Sequence, residues 1–296
     1  MPAEQVPPQT APTSAGTAPG SVPALPLAGV MGWPVAHSRS PQLHRHWLEH
    51  YGIRGHYVPL TVAPEHLAQV LHALPRAGFV GLNVTIPHKQ AVLALADVVT
   101  DRAALIGAAN TLIFRPDGRI HADNTDGYGF TANLFQQQPE WNPAAGPAAV
   151  IGAGGAARAV VAALLECHVP ELRIANRTRI RADQIKAEFG ARVVVYDWAQ
   201  IGNMLEGATT VVNSTSMGME GAQPLRAPLD ALSPDALVTD LVYTPLDTLF
   251  LREARSRGCR TVDGLGMLLH QAAPGFERWF GVRPEVDDAL RAAVLG

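Results

Sequence analysis

One stretch constrains this chain more than any other. Val150 to Arg158 reads V-I-G-A-G-G-A-A-R: an apolar run, a glycine turn, and then an Ala/Val/Leu-rich segment from Ala156 to Leu165. The pattern predicts a strand that turns sharply into a helix. Gly152 permits the tight turn, Gly154 lets the backbone approach a pyrophosphate, and Ala157 lets the helix pack close to the strand. Ala153, Gly155 and Ala156 complete a small-residue cradle at a helix N-terminus, which faces an anion favourably. G-x-G-x-x-A alone is a weak signal. Its mid-chain position, with room for further structure on both sides, makes it informative.

Composition narrows the field. A chain of 296 residues has length for two domains, and its 47% hydrophobic and 17% charged content is that of an ordinary globular protein. A net charge of −3 gives no case for nucleic acid or an anionic membrane, and no apolar run reaches spanning length. Cys167 and Cys259 form neither a disulfide framework nor a zinc pattern, and they suit a reducing, cytoplasmic setting. Of the 23 basic residues only Lys89 and Lys186 are lysines. A lysine kept against that bias invites a chemical explanation.

In chain order, Met1 to Pro26 is rich in Pro, Ala, Thr, Ser and Gly and contains no Lys or Arg. It is expected to be a disordered tail, without the basic start of a secretory signal or the arginines of a transit peptide. Order is expected near Ala28. Ser40 followed by Pro41 predicts an N-cap and a helix, which Gly52 closes. Strands are expected at Tyr57–Val62 and Phe79–Ile86, and helices at Pro64–Leu74 and from Pro87 onward. Thr100 is expected to cap a helix through Ile106, and a hairpin to turn at Pro116-Asp117-Gly118.

After the glycine turn, strands are expected at Leu172–Ala175, Arg192–Val195, Thr209–Asn213, Leu237–Asp240 and Thr261–Asp263. Two amphipathic helices, Leu265–Phe280 and Pro284–Leu295, follow and are free to fold back. The expected fold class is α/β with two domains. An N-terminal α/β substrate domain (27–126), completed by C-terminal helices (264–296), precedes a Rossmann-type doubly wound nucleotide domain (127–263).

Four motifs suggest chemistry. About twenty residues past the glycine turn, a dinucleotide domain would place an acid for a ribose 2′-hydroxyl. Here the chain reads Asn176-Arg177-Thr178-Arg179-Ile180-Arg181. Arginines pair with phosphates in bidentate fashion, so this segment predicts a 2′-phosphate site and NADP. The competing reading is a helix start with solvated arginines.

In Asn83-Val-Thr-Ile-Pro-His-Lys89, Asn83 and Thr85 share one face of a strand, and Pro87 is expected to place Lys89 in a helix's first turn. That end of a helix disfavours cations. Arg cannot usefully lose its proton, whereas Lys can, so Lys89 is a candidate proton donor. Asn110-Thr111 and Asp123-Asn-Thr-Asp126-Gly127 are turn-forming on composition alone, but they also supply a carboxylate to pair with Lys89. Finally, His46-Trp-Leu-Glu-His50 has zinc-peptidase spacing. No third ligand is identifiable, and no metal site is expected.

Taken together, these residues resemble the shikimate dehydrogenase family. The resemblance rests on G-x-P-V-x-H-S-x-S-P at Gly32 to Pro41, N-V-T-I-P-H-K at Asn83 to Lys89, and G-A-A-N-T at Gly107 to Thr111. N-T-D-G at Asn124 to Gly127, the glycine turn, N-R-T-x-x-R at Asn176 to Arg181 and D-G-L-G-M-L-x-x-Q at Asp263 to Gln271 complete it. It implies reversible NADPH-dependent reduction of 3-dehydroshikimate to shikimate, on the way to the aromatic amino acids. By that resemblance Lys89 and Asp126 are the catalytic pair. Ser38, Ser40, Asn83, Thr85, Lys89, Asn110, Asp126, Tyr243 and Gln271 would hold the substrate.

On the cofactor side, Asn176, Arg177, Thr178 and Arg181 would read the 2′-phosphate. Thr215, Met217, Leu241 and Gly264 would border the nucleotide beside the glycine turn. Trp33 is bulkier than the residue often found in the first motif. The expected partner is the small substrate, with no nucleic acid or membrane, in a monomer or homodimer. The residues leave two rivals: a quinate or aminoshikimate dehydrogenase, and a non-catalytic ligand-sensing relative. Asn176-Arg177-Thr178 argues against the NAD preference common in quinate enzymes, and the Lys89/Asp126 pair argues against a sensor.

Overall fold

The computed structural model describes residues 25–296, so Met1 to Ala24 of the expected tail lie outside the described residues. The first half contains β1 (Leu27–Gly32), α1 (Ser40–His50), β2 (His56–Thr61), α2 (Leu67–Ala73), β3 (Phe79–Val84), β4 (Val98–Val99), α3 (Asp101–Ile106), β5 (Thr111–Phe114) and β6 (Ile120–Asp123). Its six strands form one sheet in the order β2-β1-β3-β5-β6-β4. β1 runs parallel to β2 and β3, whereas β5 is antiparallel to both β3 and β6. The expected hairpin is the β5–β6 connection.

Helix α4 (Asp126–Gln137) leads into the second half: β7 (Ala148–Ile151), α5 (Gly155–Glu166), β8 (Leu172–Ala175), α6 (Arg179–Phe189), β9 (Val193–Tyr196), α7 (Ile201–Leu205), β10 (Thr210–Asn213), β11 (Leu237–Asp240), α8 (Leu249–Ser256) and β12 (Arg260–Val262). These strands form an all-parallel sheet, β12-β11-β10-β7-β8-β9, whose order reverses between β7 and β10. Alternate residues of β7 feed opposite cores. Ala148 and Val150 pack with Val160, Val161 and Leu164 of α5, while Ala149 and Ile151 pack with Met204 of α7 and Phe250 of α8. A strand buried on both faces must be apolar at every position, as Val150-Ile151 already signalled.

The chain then returns. α9 (Leu265–Phe280) and α10 (Asp288–Leu295) lie on the first sheet, not the second. Leu265, Leu269, Ala272, Phe276 and Trp279 recur at helical spacing and pack with Ala28 and Val30 of β1 and Leu43 and Trp47 of α1. Trp279 Nε1 donates to the Leu112 carbonyl of β5 at 3.0 Å. Gln42 donates to the Ala293 carbonyl and Trp47 Nε1 to the Glu285 carbonyl, so α1 and the last helix hold each other.

The last helix opens at Asp288, four residues after the expected Pro284, with Asp287 as its cap, and two further local expectations fail. No α-helix starts at Pro87; residues 86–90 form turns, followed by a 3-10 segment at Ala91–Leu95. The Lys89 carbonyl accepts from Ala109 N at 2.8 Å, and Leu93 N reaches back only to Gln90. The carbonyl that a regular helix needs is therefore spent on another segment. Ser40 is the first residue of α1 rather than its cap, and its N–H points to Ser38 Oγ at 3.3 Å. Thr100 does cap α3, accepting from Ala103 N.

α4 and α9 cross in close contact. A Cβ on Gly129 of α4 would stand 2.6 Å from both the Gln271 Cβ and the Met267 carbonyl oxygen. Gly129→Ala should therefore force α9 outward and lower the unfolding free energy by about 1–3 kcal/mol, the usual cost of overpacking. Chemical denaturation checks this, and a midpoint equal to the parent's would show that the crossing has slack.

Candidate active site

A cavity of about 390 Å³ opens between the two halves. All nine residues expected to hold substrate line it: Ser38, Ser40, Asn83, Thr85, Lys89, Asn110, Asp126, Tyr243 and Gln271. They arrive from separate elements. The β1–α1 loop brings Ser38, and Ser40 opens α1. β3 and the turn after it bring Asn83, Thr85 and Lys89. Asn110 precedes β5, Asp126 opens α4, and Gln271 comes back on α9.

At the centre Lys89 Nζ donates to Asp126 Oδ2 at 2.6 Å. Asp126 stands in the first turn of α4, where the helix dipole favours a carboxylate. Asn110 Nδ2 donates to its other oxygen, Oδ1, at 2.8 Å, and also reaches Gln271 Oε1 at 3.0 Å. The Asp126 N–H is held by Asn124 Oδ1, and Asn124 Nδ2 by the Ala108 carbonyl. Thr125 donates to the Gln271 carbonyl at 2.8 Å. Lys89 thus meets a carboxylate whose position is set by three segments.

Beside this pair, Tyr57 OH donates to Asn83 Oδ1 at 2.7 Å, and Asn83 Nδ2 donates to the Asn110 carbonyl at 3.1 Å. Burial pushes the Tyr243 hydroxyl pKa upward, with Arg39 opposing.

The opposite wall belongs to the second half: Ala156, Leu241 and Gly264. Gly152 has φ +110°, a conformation that favours glycine, and a Cβ there would meet Ser214 Oγ at 2.7 Å. A Cβ on Gly154 or Gly155 would meet nothing within 4 Å, so the N-terminus of α5 is open to an approaching anion. Ala153 N donates to Asn176 Oδ1, and Asn176 Nδ2 to the Thr178 carbonyl, so both ends of the Asn176 amide are engaged within the protein.

Thr178 caps α6 without a side-chain bond. Arg179 is occupied by Asp183 and Asp197. Arg177 and Arg181 are exposed and have no ion-pair partner among the described residues. Thr215 and Met217 form a turn after β10, next to the glycine turn in the neighbouring strand. The shape and the donors suit a dinucleotide laid across the point where the strand order reverses.

Several lining or supporting residues carried no assigned role in the sequence. Met267 and Leu268 line the cavity, and their positions four and three before Gln271 on one helix could have revealed them. Asn124 and Thr125 lie inside a recognised motif but act from behind it. Arg158, the last residue of the glycine stretch, bonds the Ile106 carbonyl and Glu188, joining α5 to the end of α3. The zinc-like spacing falls on the outer side of α1, where Glu49 and His50 are exposed and His46 is half-buried, while the nearby His44 points inward. His44 is buried and stacked on Tyr57 with centroids 3.8 Å apart, and burial lowers its pKa to about 3. Among the described residues no three His, Cys, Asp or Glu side chains gather as a metal site, and no helix is long and apolar enough to cross a membrane.

Comparison with known proteins places the chain in a family. Family models match in order: the shikimate dehydrogenase substrate binding domain at residues 30–112, shikimate/quinate 5-dehydrogenase at 137–220, and the shikimate 5′-dehydrogenase C-terminal domain at 264–294. A shikimate dehydrogenase (NADP(+)) of Paracoccus denitrificans is 80% identical over 270 residues, which is 91% of this chain and 96% of that relative. The shikimate 5-dehydrogenase of Thermus thermophilus, solved in complex with NADP(H) and shikimate, superposes with a TM-score of 0.81 at 39% identity, covering 92% of this chain and 99% of that one. A quinate dehydrogenase from Corynebacterium glutamicum, solved with NAD, gives 0.84 at 33% identity over 92% and 99%. With such identity along nearly its whole described length, and with the cavity residues in place, the chain belongs to the shikimate dehydrogenase family.

Proposed function

We propose that this protein catalyses the reversible NADPH-dependent reduction of 3-dehydroshikimate to shikimate, a step towards chorismate and the aromatic amino acids. The observation that carries the reading is the 2.6 Å Lys89–Asp126 pair, set in a cavity lined by hydroxyl and amide groups and faced by the wall of the nucleotide half.

The residues fit NADP. The open glycine turn at Gly152, Ala153, Gly154, Gly155 and Ala156 would receive the pyrophosphate. Arg177 and Arg181, with Thr178, would hold the 2′-phosphate, and Asn176 braces both segments. Thr215, Met217, Leu241 and Gly264 would flank the nicotinamide side. When bound, the cofactor would supply the hydride to the substrate's C3 carbonyl carbon.

The protein's own part is alignment and the proton. Lys89 Nζ delivers a proton to the carbonyl oxygen as it becomes a hydroxyl and takes one back in the oxidative direction. Asp126 Oδ2 aims Nζ, and Asn110 aims Asp126. Ser38, Ser40, Asn83, Thr85, Asn110, Tyr243 and Gln271 provide the donors and acceptors that a polyhydroxylated acid requires. A substrate lacking those hydroxyls would leave buried polar groups unpaired, which disfavours it.

We assign residues 27–126 and 264–296 to the substrate domain and 127–263 to the nucleotide domain. Phe130 and Leu134 of α4 join the core under the second sheet, in support of a boundary at the start of that helix. We take the protein to be a monomer or a homodimer. The two free thiols suit a reducing cytoplasm.

Steady-state assays with shikimate and quinate, each with NADP+ and NAD+, test the assignment. The highest kcat/KM is expected for shikimate with NADP+, and a preference for quinate with NAD+ would replace the reading. Lys89→Met should lower kcat on the order of 10²–10⁴-fold, the span of a lost general acid, with little change in shikimate affinity. Turnover near that of the parent would remove Lys89 from the proton path. Arg177→Ala should raise the KM for NADP+ about tenfold or more, as expected for a lost charge-assisted bond to phosphate, and leave NAD+ nearly unaffected. An equal loss for both nucleotides would mean that Arg177 does not read the 2′-phosphate.

A further inference from the structure

Asp240, the last residue of β11, is fully buried, and no basic residue pairs with it among the described residues. Oδ1 accepts from Asn213 Nδ2 at 2.9 Å and from Val242 N at 3.0 Å. Oδ2 accepts from Thr248 Oγ1 at 2.8 Å. Thr248 is also the N-cap of α8. Burial raises the Asp240 pKa to about 6, against the three donors; every contact is made by a donor, as an ionised carboxylate requires, and the charge is costly to keep. An uncompensated charge of this kind needs a reason.

The reason lies in what it touches. Asn213 ends β10, the neighbouring strand. Its Nδ2 serves both Asp240 Oδ1 and the Met217 carbonyl, and its Oδ1 accepts from Thr215 N at 3.0 Å and from Thr215 Oγ1 at 2.7 Å. Thr215 Oγ1 in turn accepts from Met217 N. The Thr215–Met217 turn is therefore wound around one amide. An amide can be reversed end for end, whereas an ionised carboxylate accepts only. Beside Asp240, a reversed Asn213 would set oxygen against carboxylate and an NH₂ group against the Thr215 N–H. A neutral amide at position 240 can turn an NH₂ group towards a reversed Asn213, at the loss of the Val242 N–H bond, and so enforces the orientation less strictly than a carboxylate. The second contact of Oδ1, to Val242 N, holds the strand end between Leu241 and Tyr243, both of which line the cavity.

We propose that Asp240 is a positioning residue for the nucleotide site: its acceptor-only carboxylate fixes the orientation of the Asn213 amide and, through it, the Thr215–Met217 turn. Asp240 touches neither substrate nor cofactor in this scheme. The inference rests on the nucleotide reading given above.

The isosteric Asp240→Asn, which keeps the shape but removes the charge and turns one acceptor oxygen into a donor NH₂ group, tests it. In the ligand-free protein, amide exchange at Thr215 and Met217 should accelerate about tenfold, the equivalent of one hydrogen bond to a charged group. NADPH affinity, measured by fluorescence titration, should weaken about tenfold, while shikimate affinity stays within about twofold. In an Asn213→Ala background the same substitution should change NADPH affinity no further.

Unchanged exchange together with unchanged NADPH affinity overturns the proposal. So does an equal loss of shikimate affinity, which would mean general loosening, or an undiminished effect in the Asn213→Ala background. A parent protein that fails to bind NADPH would sink the nucleotide reading, and the exchange measurement would still decide the role of Asp240 in the turn.

Discussion

The buried hydrogen-bond cluster around Asn110 is the constraint on which the rest of the site depends. Asn110, Thr111, Asn124, Thr125 and Asp126 are all buried, with Gln271 beside them. A buried polar group left unpaired costs about 1–3 kcal/mol, so these partners must arrive together. They come from the segment before β5, the start of α4 and the middle of α9. Satisfying them fixes α9 against the first sheet, and that explains why the last helices return across the molecule instead of extending the second sheet. Gly129 supplies the same constraint in steric form, since the two helices could not approach this closely over a side chain.

Charge follows a division of labour. Every other ion pair among the described residues uses arginine, including Arg102 with Asp123, Arg158 with Glu188, Arg179 with Asp197 and Arg291 with Asp263. Several of these guanidinium groups also clamp carbonyls or carboxylates in fork geometry, as Arg102 does on Asp123. Lys89–Asp126 alone uses an ammonium, and it alone among these pairs lies in the cavity. A clamp calls for a permanently charged fork, whereas proton transfer calls for a group that can release its proton. The lysine signal in the sequence survives for this reason, although the helix N-terminus once expected beneath Lys89 does not exist.

What was legible in the sequence was what local spacing encodes. The parallel sheet was readable because strands covered on both faces are apolar throughout. Leu172–Ala175 and Leu237–Asp240 match expectation residue for residue, and their neighbours differ by a residue or two. The α9 boundaries were likewise set by its amphipathic period and the Gly281 that follows it. The turn at residues 86–90 was not legible. Whether the Lys89 carbonyl binds its own helix or Ala109 depends on a segment twenty residues away, about which local propensity says nothing. Asn124, Thr125 and Arg158 were visible inside their motifs, but their long-range partners were not.

The glycine turn shows why a motif needs its neighbours. From one side Asn176 Oδ1, at the end of β8, takes the Ala153 N–H. From the other side Ser214, at the end of β10, donates to the Ile151 carbonyl and crowds the space where a side chain on Gly152 would stand. Clamped on both flanks, the turn keeps one open approach, over Gly154 and Gly155. The brace on the β8 side precedes Arg177 and Arg181, and the brace on the β10 side precedes Thr215. The proposed contacts to pyrophosphate, 2′-phosphate and nicotinamide are therefore hung from adjacent strand ends that hold one another in place. In the proposed reading the ends of β7, β8 and β10 place the dinucleotide, and the arginines after β8 choose between NADP and NAD.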